Sequence, residues 1–286
     1  MYVDQPATKV ALPQRRLVIL PIGSCEQHGP YLPIDTDLRI ANLLANKLTE
    51  ALHEQNPLLL PPIPFSCSWE HKGVGTIALN VSTLAAMLHD TAKSLQTWQT
   101  PILLVLVNWH GGNDLLGALA TEITATEGIP TAVIPAVSQV GKAWDESGIT
   151  TAKDIHAGAV ETSIIQAYWP KLVARTISAR DHCEPQIAPA KAQAVMQSLG
   201  IRAVSPSGIW GAPEQTSKAK GKRLITHLVE NMRRQVMKLV ELVDEHAQRE
   251  EEKEESENHA RPDTTRNHRD AAARPKDGEY HHASLS

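Results

Sequence analysis

Two short apolar runs constrain this chain more than any other feature: RLVILPIG at residues 16–23 and PILLVLV at residues 101–107. Their apolar residues are continuous rather than alternating, so each reads as a strand covered on both faces. Both end in turns rich in glycine and histidine, GSCEQHG and NWHGGND, and helical spacing follows each turn. After the first, Leu38, Ala41, Leu44, Ala45, Leu48 and Leu52 fall on one helical face, with Thr36 or Asp37 available as N-cap. LLLPPIPF leads into a glycine-punctuated loop, SCSWEHKGVGTIALN, and STLAAMLHDTAKSLQTW reads as a second helix. LLGALATEITATEG reads as a third helix, and PTAVIPAV as a further strand. Strands alternating with helices predict an α/β fold, a three-layer α/β/α sandwich with a mostly parallel central sheet. Ligands of such sheets bind at the carboxyl ends of the strands, where both histidine-bearing turns fall.

HAGAVETSIIQAYWP reads as a helix ended by Pro170, and GKRLITHLVENMRRQVMKLVELVDEH as a long amphipathic one. Residues 1–245 are thus expected to form one domain. From residue 246 the chain is highly charged and nearly free of branched apolar side chains, and 246–286 is expected to be a disordered tail. His281 and His282, near its end, read as solvated residues.

The chain has 28 Lys and Arg against 32 Asp and Glu, a formal charge of -4, so there is no basic excess to hold nucleic acid. No window approaches the roughly 18 uninterrupted apolar residues that a membrane span needs, and the N-terminal stretch lacks a signal-peptide core. The default location is the cytoplasm. Cys25, Cys67 and Cys183 are widely spaced with no CxxC pair, which leaves nitrogen and oxygen as ligands for any metal.

GSCEQHGPYLPIDTD, residues 23–37, concentrates the chemistry. Its Gly29, Pro30 and Pro33 exclude one regular helix. In an extended segment residues two apart point the same way, so Glu26 and His28 share a pocket while Cys25 faces away. Asp37, returned by the proline turn, adds a carboxylate, and His110 of the neighbouring strand's turn adds an imidazole. Two histidines and two acids suit divalent Zn, Mn or Fe, and Asp37 could bridge a pair of ions. Each residue also has a structural explanation: Asp37 as a cap, the histidines as hydrogen-bonded loop residues. Their joint occurrence on two strand-end loops favours metal.

GSCEQHGPYLPIDTD, NWHGGND and HAGAVETS together resemble the three signatures of the creatininase (creatinine amidohydrolase) family, in order, across roughly residues 15–240. The resemblance implies a dinuclear metal amidohydrolase, often hexameric, acting on a small-molecule amide through a hydroxide between two divalent ions per subunit. Carried over, Glu26 and His110 would hold one metal and His28 the other, with Asp37 bridging. His156 matches the catalytic histidine, and Glu161 would complete the second metal site. Creatininase proper has a tyrosine and a metal-binding glutamate after the histidine of NWHGGND; this chain has Gly111 and Gly112, which puts creatinine in doubt as substrate. Asp154 is a candidate to orient His156 or to cap the helix. Glu70, His71, Trp109, Gly111 and Gly112 are candidate substrate contacts, and SPSGIWGAPE, residues 205–214, is a candidate loop to cover the site, from the same or a neighbouring subunit. The expected reaction is hydrolysis of a non-peptide or cyclic amide C–N bond; the alternatives within the family are a peptidase or deformylase-like maturation enzyme and an amide-forming member. A non-catalytic metal-binding oligomer is the rival of another class.

Overall fold

The computed structural model describes residues 16–98, 100–148, 154–183 and 189–260. Strand β1 (Arg16–Ile22) and strand β3 (Ile102–Asn108) pair in parallel over their full lengths, from Arg16 opposite Ile102 to Ile22 opposite Asn108. The two-residue β2 (Leu58–Leu59) adds to the other side of β1, and β4 (Thr131–Ile134) to the outer side of β3. The sheet is all parallel, in the order β2-β1-β3-β4. Both outer strands are short for a visible reason: Pro61 and Pro62 follow β2 closely and Pro135 follows β4, and proline cannot donate to a ladder.

Alternate residues of β1 and β3 serve opposite faces of the sheet. Val18, Leu20, Ile22, Leu104 and Leu106 form one buried cluster with helices α2 (Val81–Gln96) and α3 (Leu116–Glu127), through Leu84, Leu88, Leu116 and Ile123. Helix α1 (Thr36–Ala51) packs against β1 and β3, with Ile40, Leu44 and Leu48 fully buried. Helices therefore cover the sheet as the continuous apolar runs require. Helix α4 (Val137–Ser147) follows β4 at once, and α5 (Ala159–Tyr168) stops at Trp169, just before Pro170. Helix α6 spans Pro189–Leu199.

Helix α7 (Lys218–Ala260) buries Leu224, Leu228, Met232, Val236 and Val240, spaced four apart along one side. It continues through residues 246–260, which are helical where the sequence led to an expectation of disorder. The reason is local. Glu, Lys, Arg and Gln are good helix formers, and propagating an existing helix avoids the nucleation cost. Ion pairs one turn apart, Arg249–Glu245 and Lys253–Glu250, add to it. Residues 261–286, with His281 and His282, lie outside the described residues. Among the described residues no helix is long and apolar enough to cross a membrane.

The fold couples the end of β1 to α1 by close contact. A side chain at Gly23 would bring its Cβ within 2.5 Å of the Leu38 amide nitrogen in the first turn of α1. Gly23→Ala should therefore cost about 1–3 kcal/mol by overpacking. Denaturant unfolding would measure it.

Candidate metal centre

Glu26 and His28 follow β1, Asp37 lies in the first turn of α1, His110 is two residues past β3, and Glu161 is in the first turn of α5. All five are buried in one cluster. Parallel pairing of β1 and β3 sets their ends level, which is why turns some eighty residues apart in sequence meet.

Asp37 occupies the middle. Its Oδ2 is 3.2 Å from His110 Nδ1, which is also 3.2 Å from Glu26 Oε2. Its Oδ1 is 3.3 Å from His28 Nε2, which is 3.6 Å from Glu161 Oε2. One carboxylate thus faces two groups of donors, Glu26 with His110 and His28 with Glu161. Asp37 caps no helix by its side chain; Asp35 precedes the helix and pairs with Arg39 at 2.7 Å.

The histidines are oriented from behind. The far nitrogen of His28, Nδ1, lies 3.1 Å from the carbonyl oxygen of Glu26, and that of His110, Nε2, lies 2.9 Å from the carbonyl oxygen of Cys67. Carbonyl oxygens only accept, so these nitrogens carry the protons, and a neutral ring turns a lone pair on the carboxylates. Metal-binding histidines are typically held this way. Trp109 donates its indole N–H to Glu161 Oε1 at 3.2 Å, and the Ala157 amide donates to Oε2 at 2.6 Å.

Charge and hydrogen bonding both point to a cation. Among the described residues, Glu26, Asp37 and Glu161 form ion pairs with histidines only. Burial alone would raise the Glu26 and Glu161 carboxyls, yet His110 beside the first and His28 beside the second hold each at about 2. Burial would likewise strip the proton from His28, but Asp37 and Glu161 draw its pKa well above the ordinary value. Glu26 and Asp37 do the same for His110. Glu26 Oε1, His28 Nε2 and Asp37 Oδ2 are buried without a hydrogen bond, although opposite charge lies nearby. Acids that converge with histidines as their partners fit a divalent ion at their centre, whose binding would displace the imidazole protons.

His156 and His71 line the same cluster from the side of Glu26 Oε1, at 3.6 Å from Nδ1 and 3.4 Å from Nε2, their rings 4.2 Å apart. His71 is pushed down to about 2 by burial and by neighbouring His156, so it is neutral. Glu70 reaches His110 Nε2 at 3.5 Å with a carboxyl raised by burial. Trp109 is buried, with its indole N–H on Glu161. Gly111 faces open space, whereas a Cβ at Gly112 would collide with Glu70, the Cys67 carbonyl and His110, the last at 2.5 Å. Asp154 accepts from the Ala159 and Val160 amides at the start of α5. Cys25 pairs its backbone with Ile77, and burial raises its thiol pKa.

The loop at 205–214 reaches the site within the same chain. Trp210 and His156 exchange backbone hydrogen bonds, and the Gly208 carbonyl meets the Gln27 side chain. Sequence reasoning passed over Gln27, because simple alternation turns it away from Glu26 and His28. It also passed over Ser24, whose hydroxyl donates to Glu26 Oε2 at 2.8 Å. The signal was present in their positions beside Glu26, within a loop whose backbone is not a regular strand.

A parallel α/β sheet with clustered carboxylates and imidazoles at its strand ends defines the class: a protein built to hold metal at a hydrolase-like site. The family model described as "Creatininase: Creatinine amidohydrolase" matches residues 3–236, and the chain belongs to the creatininase family. It is 33% identical over 217 residues to the mycofactocin precursor peptide peptidase of Mycolicibacterium smegmatis, covering 74% of this chain and 81% of that one. It is 24% identical over 175 residues to the creatinine amidohydrolase of Pseudomonas putida, covering 55% and 66%. The solved structure named Creatininase Mn has the same fold, with a TM-score of 0.64 at 19% identity, covering 83% of this chain and 97% of that one.

If Trp109 supports Glu161 as a ligand, Trp109→Phe should leave the fold intact and lower metal affinity or activity about 10–100-fold. Metal analysis after dialysis against a graded chelator would read it; unchanged retention would contradict the role.

Proposed function

We propose that this chain is a metal-dependent amidohydrolase with two divalent ions, Zn, Mn or Fe, and that it cleaves an amide C–N bond in a peptide. One observation carries the reading: the two oxygens of Asp37 face different histidines, each with its own further acid, Glu26 beside His110 and Glu161 beside His28. That arrangement supports Glu26 and His110 as ligands of one ion, His28 and Glu161 as ligands of the other, and Asp37 as the bridge. Such ions, when bound, lower the pKa of water and stabilise negative charge on the attacked carbonyl.

The chain's own groups do the rest. His156, facing the cluster through Nδ1, takes a proton from the attacking water and returns it to the departing nitrogen, which otherwise leaves poorly as an anion. The Glu26 and Cys67 carbonyls and the Trp109 indole fix the ligands in place. His71, neutral and buried, adds no charge to a site that already holds three carboxylates.

A peptide substrate is favoured over a non-peptide or cyclic amide by the relatives at 31–33% identity, which are named mycofactocin precursor peptide peptidases. The absence of a glutamate at position 112, where Gly112 admits no side chain, points away from creatinine in the same direction. The second reading, a cyclic amide, rests on the family model and on the Pseudomonas putida relative.

Metal analysis should find two ions per chain, with turnover lost on chelation and restored by zinc or manganese. A panel of short peptides and cyclic amides should show hydrolysis of peptides; cleavage of cyclic amides alone would select the second reading. His156→Ala should retain both ions while kcat falls about 10²–10⁴-fold. Cys25→Ser should keep turnover near wild type, and a loss as deep as that of Glu26→Gln would overturn the metal reading in favour of a thiol.

A further inference from the structure

Gln27 is buried between Glu26 and His28, and its side-chain amide is fixed at both ends. Oε1 accepts from the Gly29 amide at 3.1 Å, and Nε2 donates to the Gly208 carbonyl at 3.2 Å. Gly208 has a φ of 82°, and a Cβ there would collide with this amide, so the loop is shaped around it. The remaining Nε2 hydrogen faces His71 Nδ1 at 2.9 Å. An amide nitrogen donates and does not accept, so His71 Nδ1 accepts. With Nδ1 accepting, the ring proton of His71 lies on Nε2, which faces Glu26 Oε1 at 3.4 Å.

His156 follows by the same bookkeeping. Its Nε2 lies 2.8 Å from the backbone carbonyl oxygen of Gln27, an acceptor only, so Nε2 carries the proton and donates there. The Gln27 Nε2 atom, 3.2 Å from His156 Nε2, has both hydrogens committed elsewhere, and that approach is donor to donor. Nδ1 of His156 is left with a lone pair facing the cluster.

We propose that Gln27 is a positioning residue: its amide and its own carbonyl hold His71 and His156 as Nε2–H tautomers, making Nδ1 of His156 the nitrogen that moves the proton. The inference rests on the proposed amidohydrolase reading for the proton's use, though not for the tautomers. The step balances. Water loses a proton to Nδ1 as its oxygen bonds to the carbonyl carbon; the imidazolium returns that proton to the nitrogen as the C–N bond breaks, and the ring ends neutral.

The test uses the full chain labelled with ¹⁵N in histidine, metal-free and zinc-loaded, with the tautomers read from long-range ¹H–¹⁵N correlations. His71→Asn and His156→Asn assign the two rings by loss of signal. Both should be Nε2–H in the wild type, and Nδ1–H on either overturns the proposal whether or not any further variant folds. In Gln27→Glu the carboxylate can only accept, so His71 should switch to Nδ1–H while His156, held by the main chain, does not. There kcat should fall about 10–100-fold with zinc content unchanged. An unchanged His71 tautomer in that variant also overturns the proposal. A wild type with both Nε2–H tautomers but no bound zinc and no amide turnover would instead sink the proton-transfer role and the functional reading beneath it.

Discussion

The buried carboxylate of Asp37, placed between His28 and His110, is the contact on which the site depends. A buried charge is tolerated only when it is paired and hydrogen-bonded. Here three buried acids share the partners His28 and His110, with Asp37 between the two rings. Imidazolium ions could neutralise part of that charge, which is why His28 and His110 hold protons so strongly against their burial. A divalent cation does so with better geometry, because several donors can point at one centre without pairing with each other.

The scaffold brings this about through parallel pairing. With Ile22 opposite Asn108, the chain leaves both strands at the same level, and loops of different lengths deliver their side chains to one place. The turn through Pro30 and Pro33 sends the chain into α1, where Asp37 also profits from the positive end of the helix dipole. Glu161 sits at the corresponding end of α5. Two acids at two helix starts and two histidines at two strand ends thus form one cluster from four separate segments.

The two central strands and the acids and histidines of the strand-end turns were legible because their signals are local: continuous apolar runs, glycine and proline punctuation, and chemistry at the turns. The helical stretch at 246–260 was not, because composition reports what a segment can bury, whereas α7 continues there on helix propensity and ion pairs such as Arg249–Glu245. The hydrogen bond from Trp109 to Glu161 was not legible either, because it spans 52 residues and exists only once α5 is in place. Gln27 was hidden for a related reason. Alternation describes strands, and residues 23–30 form only isolated bridges.

Gly112 shows how one glycine shapes the whole arrangement. Glu70, the Cys67 carbonyl and His110 crowd the space where its Cβ would be, and the carbonyl is the group that fixes the ring of His110. A side chain at 112 would have to displace one of them, so the glutamate that creatininase carries there has no room in this chain. An acid needed beside His28 must then come from another element. Glu161 meets that need from α5, its two oxygens already held by the Trp109 indole and the Ala157 amide. On the proposed reading, the departure in NWHGGND and the acid in HAGAVETS are parts of one arrangement: Glu70 approaches His110, and Glu161 is offered beside His28 from a helix.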